Sequence, residues 1–150
     1  MLYRLATIVD VPALAAIRSQ DWETAEYWTK RIAAYMNREL HPQKALLPRV
    51  VYLATENENV AGFIAGHLTK RFKCDGELEW IDVIPAYQRK GIASELIRVL
   101  AAWFVQQKAF NICVNCAADN LSAQRFYKFN GAEDLQEHWL VWKDISVVLK

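Results

Sequence analysis

The chain has 150 residues, 53% apolar, 12% aromatic and 23% charged, enough apolar material for one complete core and too little length for two comfortable domains. Lys and Arg total 18 against 17 for Asp and Glu, a net charge of +1, so no basic excess exists to hold a polyanion and nucleic acid is not an expected partner. The opening Met1 to Ala6 alternates like a strand instead of reading as a signal peptide, and no window reaches the roughly 18 consecutive apolar residues of a membrane span; the expectation is one domain over residues 1–150, in the cytoplasm, with no membrane partner.

In chain order, Leu2 to Ile8 reads as a first strand, and Asp10 followed by Pro12 as the cap of a helix through Leu14, Ile17 and Arg18. A second helix is expected from Trp22 to Leu40. Arg49 to Thr55 and Val60 to Leu68 are strand-like around the turn residues Asn57-Glu58-Asn59, which predicts a hairpin. Glu77 to Ile84 alternates acidic and apolar residues as far as Trp80 and is stopped by Pro85, a fourth strand. From Gly91 a helix carries Ile92, Leu96, Val99, Leu100, Trp103 and Phe104 at a 3.6-residue period and ends near Lys108. A strand around Val114, a short helix over 121–129 closed by Asn130-Gly131, and strands at Trp139 to Trp142 and Ile145 to Leu149 complete the chain. Strands interleaved with helices predict an α/β or α+β sandwich around a mixed sheet.

Cys74, Cys113 and Cys116 include a Cys-x-x-Cys spacing. A structural zinc site needs four ligands, and positions three apart on a strand face opposite sides, so half-buried thiols are expected and no metal.

The stretch Val83 to Ala93 breaks from a strand into a short basic loop and at once becomes a helix. The first N–H groups of a helix lack intrahelical acceptors and the helix dipole favours negative charge there, so a pyrophosphate fits. Gly91 and Ala93 let the backbone approach phosphate oxygens, and Arg89 and Lys90 add positive charge. Taken alone, this pattern also describes a tight turn with solvated charges.

Two ordered motifs go further. Gln88, Gly91 and Ala93, behind Val83-x-Pro85, resemble the acyl-CoA loop of the GNAT N-acetyltransferase superfamily, and Asn120 to Ala132 is similar to that family's Asn, Ala, Tyr and Gly spacing. Ala93 stands where many members have a second glycine, and Ala132 replaces the common aromatic after Gly131. The resemblance implies a mixed sheet of about seven strands, splayed between the fourth and fifth, and acetyl-CoA as cosubstrate without a metal. It implies that the backbone of Ile81 and Val83 pairs with the pantetheine arm, that Gln88, Arg89, Lys90, Gly91, Ile92, Ala93 and Ser94 surround the pyrophosphate, and that Asn120 bonds the arm or caps the short helix. Tyr127 falls where relatives place a tyrosine near the coenzyme sulfur, so it is the expected general acid and a coenzyme contact; a locally satisfied aromatic is its plain alternative.

For the base, Glu77 and Glu79 share a strand face with Asp82 on the other. Either glutamate is a candidate, directly or through water, and a solvated acidic face explains them equally. His67 is a rival base. Asp21 to Trp28 lies where the family builds its acceptor lid; it is equally core material, and if Trp22 and Glu26 face the cleft the acceptor is a cation with an apolar body. Cys116 carries a minor covalent alternative. The expected activity is direct transfer of an acetyl group to a primary amine in a ternary complex, against a non-catalytic acyl-CoA-binding or sensing module. The amine is not legible, and a homodimer is expected by analogy alone.

Overall fold

The hairpin turn at Asn57 and Glu58 sets the frame of the computed structural model, which describes residues Met1–Lys150. Both residues take positive φ, 51° and 70°, between the paired Glu56 and Asn59, the geometry that two-residue turns need to match strand twist. This turn joins β2 (Ala45–Glu56) to β3 (Asn59–Thr69). With β1 (Leu2–Leu5), β4 (Gly76–Val83), β5 (Ile112–Asn115), β6 (Glu133–Gln136) and β7 (Trp139–Trp142) they form one seven-stranded sheet of order β1-β2-β3-β4-β5-β7-β6. Only β4 and β5 run parallel, and the helix α3 (Ile92–Gln106) supplies the crossover that a parallel pair requires. The expected mixed sheet is therefore present. β2 starts earlier than the sequence predicts because Pro48 sits at a register slip between Leu46 and Arg49, beyond the reach of β1, where a missing N–H is tolerated.

The helices α1 (Val11–Arg18), α2 (Ala25–Met36) and α4 (Leu121–Phe129) complete the layers. Several expected boundaries move, each for a local reason. The first strand ends at Leu5, and the Asp10 carboxylate turns back to accept from Arg4 at 2.9 Å and from the Thr7 N–H at 2.8 Å, so it clamps a 3-10 turn and does not cap α1. Thr24 caps α2 by accepting from the Tyr27 N–H at 3.0 Å, which leaves Trp22 in the preceding turn and outside the helix. At the C-terminus the expected strand Ile145 to Leu149 is a 3-10 helix. Asp144 accepts from the Ser146 N–H at 3.0 Å and from its hydroxyl at 2.6 Å, and this local capping outcompetes a strand that has no partner.

Each sheet face carries a core. Val50, Ile64, Leu78, Ile112 and Leu140 pack under Leu96, Leu100 and Phe104 of α3 and Tyr127 of α4. Leu53, Phe63, Ala65 and Trp80 pack under Leu14 and Ile17 of α1 and Trp28, Ile32 and Tyr35 of α2. Each such side chain contributes about 1.5–3 kcal/mol on burial.

Leu78 and Trp80, two residues apart on β4, belong to opposite cores. The pairing with β3 jumps from Ala65↔Trp80 to Gly66↔Leu78, leaving Glu79 unmatched: a bulge, which re-aims every later side chain. This corrects the expected arrangement of acids. Glu77 and Glu79 approach His67 at 3.7 and 4.0 Å, and Asp82 meets Arg18 of α1 at 2.9 Å; all three lie on the α1/α2 face. No helix is long and apolar enough to cross a membrane.

Candidate active site

The β4–β5 ladder stops at Leu78↔Val114, so β4 runs on past the bulge with no strand on that side. The Ile84 N–H donates to the Ala61 carbonyl at 2.9 Å. In an antiparallel ladder alternate residues bond to the partner strand, so Trp80 and Asp82 serve β3 while Ile81 and Val83 turn their N–H and C=O groups into the splay. The Val83 carbonyl already accepts from the Gln88 side-chain amide at 3.0 Å. An extended polar chain entering the splay meets a strand edge ready for it.

Below the splay, a turn at Pro85–Tyr87 leads through Gln88, Arg89 and Lys90 to Gly91, the N-cap of α3. Gly91 has φ +80°, and a Cβ built there would meet nothing within 4 Å; its backbone conformation, not crowding, calls for glycine. The first intrahelical bond runs from the Glu95 N–H to the Gly91 carbonyl at 3.0 Å, so the N–H groups of Ile92, Ala93 and Ser94 have no partner within the helix. They open on a pocket of about 290 Å³ lined by Val83, Gln88, Arg89, Gly91, Ala93 and Ser94, among others. Lys90 is exposed, with its ammonium 5.3 Å from the Tyr87 ring centre. The Ile92 side chain is buried in the α3 core, so only its backbone is on offer.

The structure thus gathers Gln88, Arg89 and Gly91 to Ser94 around one pocket but leaves Lys90 off its lining and does not bring Asn120 there. Asn120 caps α4, accepting from the Ala123 N–H at 3.2 Å. Three pocket residues are not among those the sequence points to: Tyr87, from the turn before the loop, and Phe126 and Phe129 of α4. The spacing of three between Phe126 and Phe129 puts both on one face of α4, a signal that becomes informative only once α4 is known to pack beside the loop. The open strand edge, the unpartnered helix N–H groups and the unfilled space at Gly91 suit the pantetheine arm and pyrophosphate of coenzyme A.

Tyr127 projects from α4 and is 7% exposed, its ring edge-on to Trp142 at 5.9 Å. No protein group bonds its hydroxyl, and this oxygen is not among the sealed, unpartnered atoms, which are Arg18 Nε, Arg49 Nε, His67 Nε2 and Asn111 Oδ1. The hydroxyl therefore keeps an opening. Burial pushes its pKa well above the usual value, with Cys116 and Asp82 adding and Arg18 opposing, so it is held as a proton donor.

The acidic candidates separate clearly. Glu77 is 4% exposed and held by Arg71 at 3.0 Å. His67 is fully sealed, its Nδ1 2.9 Å from the Tyr35 hydroxyl, which removes it as a base in direct contact with an acceptor. Glu79, on the bulge, is half-buried and has no hydrogen-bond partner at all; burial raises its pKa, opposed by His67 and reinforced by Glu77. Donor atoms of His67, Glu77 and Glu79 lie within 4.8 Å of one another, the one set able to hold a cation, although the Arg71 guanidinium already balances Glu77. Cys113 and Cys116 fall in different core clusters and all three thiols are free, but they are buried where the sequence predicts half-buried thiols, because each packs into a core cluster. Burial pushes the Cys116 thiol up, which disfavours a thiolate nucleophile.

On the α1/α2 face, Trp22 packs against Tyr27 and Trp28 at 5.7 and 5.5 Å, and Trp28 meets Trp80 at 5.9 Å. Arg18 lies 4.5 Å from the Trp28 ring centre while paired to Asp82. Glu26 stands in solvent with Lys30 at 3.3 Å, apart from this aromatic wall.

A sheet that opens between its single parallel pair, over a helix start stripped of side chains, is the architecture of an acyl-coenzyme A-dependent transferase. The model of the acetyltransferase (GNAT) family matches residues 12–132, and the chain belongs to that family. A sequence comparison with curated proteins finds no match. Among solved structures, the aminoglycoside antibiotic 6'-N-acetyltransferase of Acinetobacter haemolyticus superposes with TM-score 0.75 at 19% identity, over 91% of this chain and 94% of that one. The PaiA N-acetyltransferase of Thermoplasma acidophilum, solved with coenzyme A, gives 0.73 at 16% identity over 95% and 98%. The ribosomal-protein-alanine N-acetyltransferase of Brucella melitensis gives 0.70 at 19% identity over 95% and 96%. Such identities establish the shared fold.

Proposed function

We propose that this single-domain chain moves an acetyl group from acetyl-CoA to a primary amine by direct transfer in a ternary complex, with Glu79 as base and Tyr127 as acid. The observation that carries this reading is the open β4 edge at Ile81 and Val83 beside the unpartnered N–H groups at the start of α3, with Glu79 and Tyr127 as titratable groups that no protein hydrogen bond occupies. Glu79 is a largely buried carboxylate with no hydrogen-bond partner, 4.0 Å from His67, its pKa raised by burial, and Tyr127 is a buried phenol whose pKa burial also raises.

Acetyl-CoA supplies an activated thioester and a thiolate leaving group. The open edge of Ile81 and Val83 aligns the arm, and the Ile92, Ala93 and Ser94 N–H groups, with Arg89 and Lys90 beside them, hold the pyrophosphate. Glu79 takes the proton that an ammonium must lose before it becomes a nucleophile, directly or through water. Tyr127 donates to the departing sulfur from the α4 side. Glu77 is instead held by Arg71, while burial first, and Glu77 to a smaller degree, raises the proton affinity of Glu79 against His67 and the nearby arginines. Trp22, exposed in the turn before α2 and backed by the buried Trp28, stands on the side from which the acceptor arrives, which favours an amine with an apolar body.

The test is a thiol-release assay with acetyl-CoA and a panel of peptide amino termini, lysine, polyamines and aminoglycosides. Amine-dependent release of free CoA is expected. A protein that binds acetyl-CoA and releases no thiol with any amine would be an acyl-CoA-binding module instead.

A further inference from the structure

Arg18, the last residue of α1, has a side chain 23% exposed and uses a single donor, Nη1, on the Asp82 carboxylate at 2.9 Å. Its guanidinium carbon lies 4.5 Å from the ring centre of the buried Trp28 and 5.9 Å from that of the buried Trp80, so aromatic faces and Asp82 together fix its plane. The other edge of the fork is idle. Nε is sealed from solvent without a partner; Nη2 has no partner either but is not among the sealed atoms, so it is open to the cleft. A buried donor left unbonded is costly, and the free edge of a fixed guanidinium matches the two oxygens of a carboxylate. The pair also stands beside the reacting groups. Burial raises the Tyr127 pKa, Cys116 and Asp82 add to it and Arg18 opposes, so both charges reach the phenol across the splay, while Glu79 shares their face of the sheet.

We propose that Arg18 binds a carboxylate of the acceptor, so that the amine is one carrying a single carboxylate and an apolar body, as a free amino acid does. The inference rests on the acetyltransferase reading above and narrows its acceptor. Charge selects among the anions. Arg18 and Asp82 cancel, and burial, with Asp21 adding to a smaller degree, raises the Asp82 pKa against Arg18. With Asp21 and Glu79 nearby the cleft is acidic on balance, so a phosphate dianion is repelled. A zwitterion brings no net charge: its ammonium faces Glu79 and its carboxylate faces Arg18. A polyamine or an aminoglycoside would set a like charge against Arg18 and leave its free edge unpaired.

Matched acceptors separate this role from a merely structural latch between α1 and β4. With acetyl-CoA saturating, kcat/KM is measured for phenylalanine, leucine and methionine and for the carboxamide of each. The free amino acids should exceed their carboxamides by about 10- to 100-fold. Arg18→Gln should erase that ratio by bringing the amino acids down to the level of the amides, and Arg18→Lys should keep part of it. Asp82→Asn retains a hydrogen-bond acceptor for Arg18 and removes the competing charge, so it should widen the ratio, and it answers the question even where Arg18→Gln fails to fold. A wild-type ratio near unity, a ratio that survives Arg18→Gln or one that collapses in Asp82→Asn overturns the carboxylate subsite. Turnover of other amines but of none of these amino acids overturns it too, whereas no thiol release with any amine overturns the acetyltransferase reading itself.

Discussion

The side-chain amide of Gln88 donates to the main-chain carbonyl of Val83 at 3.0 Å, tying the anion loop to the last residue of the strand that precedes it. The bond occupies the Val83 carbonyl, leaving the Val83 N–H and the Ile81 groups as the open part of that strand edge, and it fixes where the loop begins. A net hydrogen bond contributes about 0.5–1.5 kcal/mol. Gln88→Leu should therefore raise the KM for acetyl-CoA by roughly 2- to 10-fold with kcat nearly unchanged. Steady-state kinetics with acetyl-CoA varied at fixed acceptor checks this; a fall in kcat alone would detach Gln88 from coenzyme binding.

Gly91 sits at φ +80° with open space where a Cβ would project. Substitution therefore acts by two separable routes. The left-handed backbone costs an L-residue about 1–2 kcal/mol, so Gly91→Ala should lower stability by that amount in chemical denaturation. The added side chain also enters the space assigned to phosphate, so Gly91→Val should bind acetyl-CoA far more weakly while remaining folded. Full affinity in a folded Gly91→Val protein would move the pyrophosphate elsewhere.

Which features the sequence discloses depends on the range of the interactions that make them. The loop from Gln88 to Ser94 is legible because its chemistry is local: small residues, positive charge and a helix start lie within one stretch. The bulge at Glu79 is not, because Glu77-Leu78-Glu79-Trp80 alternates regularly on paper and slips only against Ala65 and Gly66 of β3. That slip moves Asp82 to the face of Glu77 and Glu79. The choice between the two glutamates was hidden for the same reason, since Arg71 reaches Glu77 from a turn between strands. Ile145 to Leu149 fails differently: its apolar run favours a strand, but the cap from Asp144 decides.

The Arg4–Asp10 clamp predicts an acid-sensitive term in stability. Hydrogen bonds from Arg4 first, then Thr7, hold the Asp10 carboxyl down at about 2, against an ordinary 3.8, with burial opposing. A folded-state pKa below the unfolded one gives stability that is fully present above about pH 4 and lost as pH falls towards 2. Replacing Asp10 with Asn should flatten the dependence of unfolding free energy on pH in that window. High salt should weaken the wild-type effect, because Arg4 is 41% exposed.

Glu79 carries the opposite sign. Burial raises its carboxyl above the ordinary 4.5, so the folded state binds a proton more tightly than the unfolded state. Its stabilising share is present below the unfolded pKa and disappears as pH rises through the folded one. Glu79→Gln should thus be more stable than wild type at neutral pH, with the gap closing in acid. As the base must be unprotonated, wild-type kcat should fall as pH drops through that raised pKa. Glu79→Gln should lose this acid limb and about 10²-fold or more in rate. A variant that keeps both limb and rate would return the role of base to water or another group.

Tyr127→Phe isolates a single oxygen. The ring's edge-on packing against Trp142 is retained and its hydroxyl has no protein partner to strand, since the indole N–H of Trp142 donates to the Asn130 carbonyl at 2.9 Å. Stability and acetyl-CoA affinity should change little. General acid–base groups contribute roughly 10²- to 10⁴-fold, and a thiolate needs less help in leaving than an alkoxide, so the expected fall in kcat is near the lower end. Because burial holds the phenol well above its usual pKa, wild-type activity should show no loss from Tyr127 ionisation as pH rises towards 10, which separates it from a tyrosine acting as phenolate. Turnover at saturating acetyl-CoA, with the best acceptor from the panel and with chemistry shown to limit the rate, is the measurement. Equal rates for wild type and Tyr127→Phe would reduce Tyr127 to a packing residue of α4 and leave proton delivery to water in the splay.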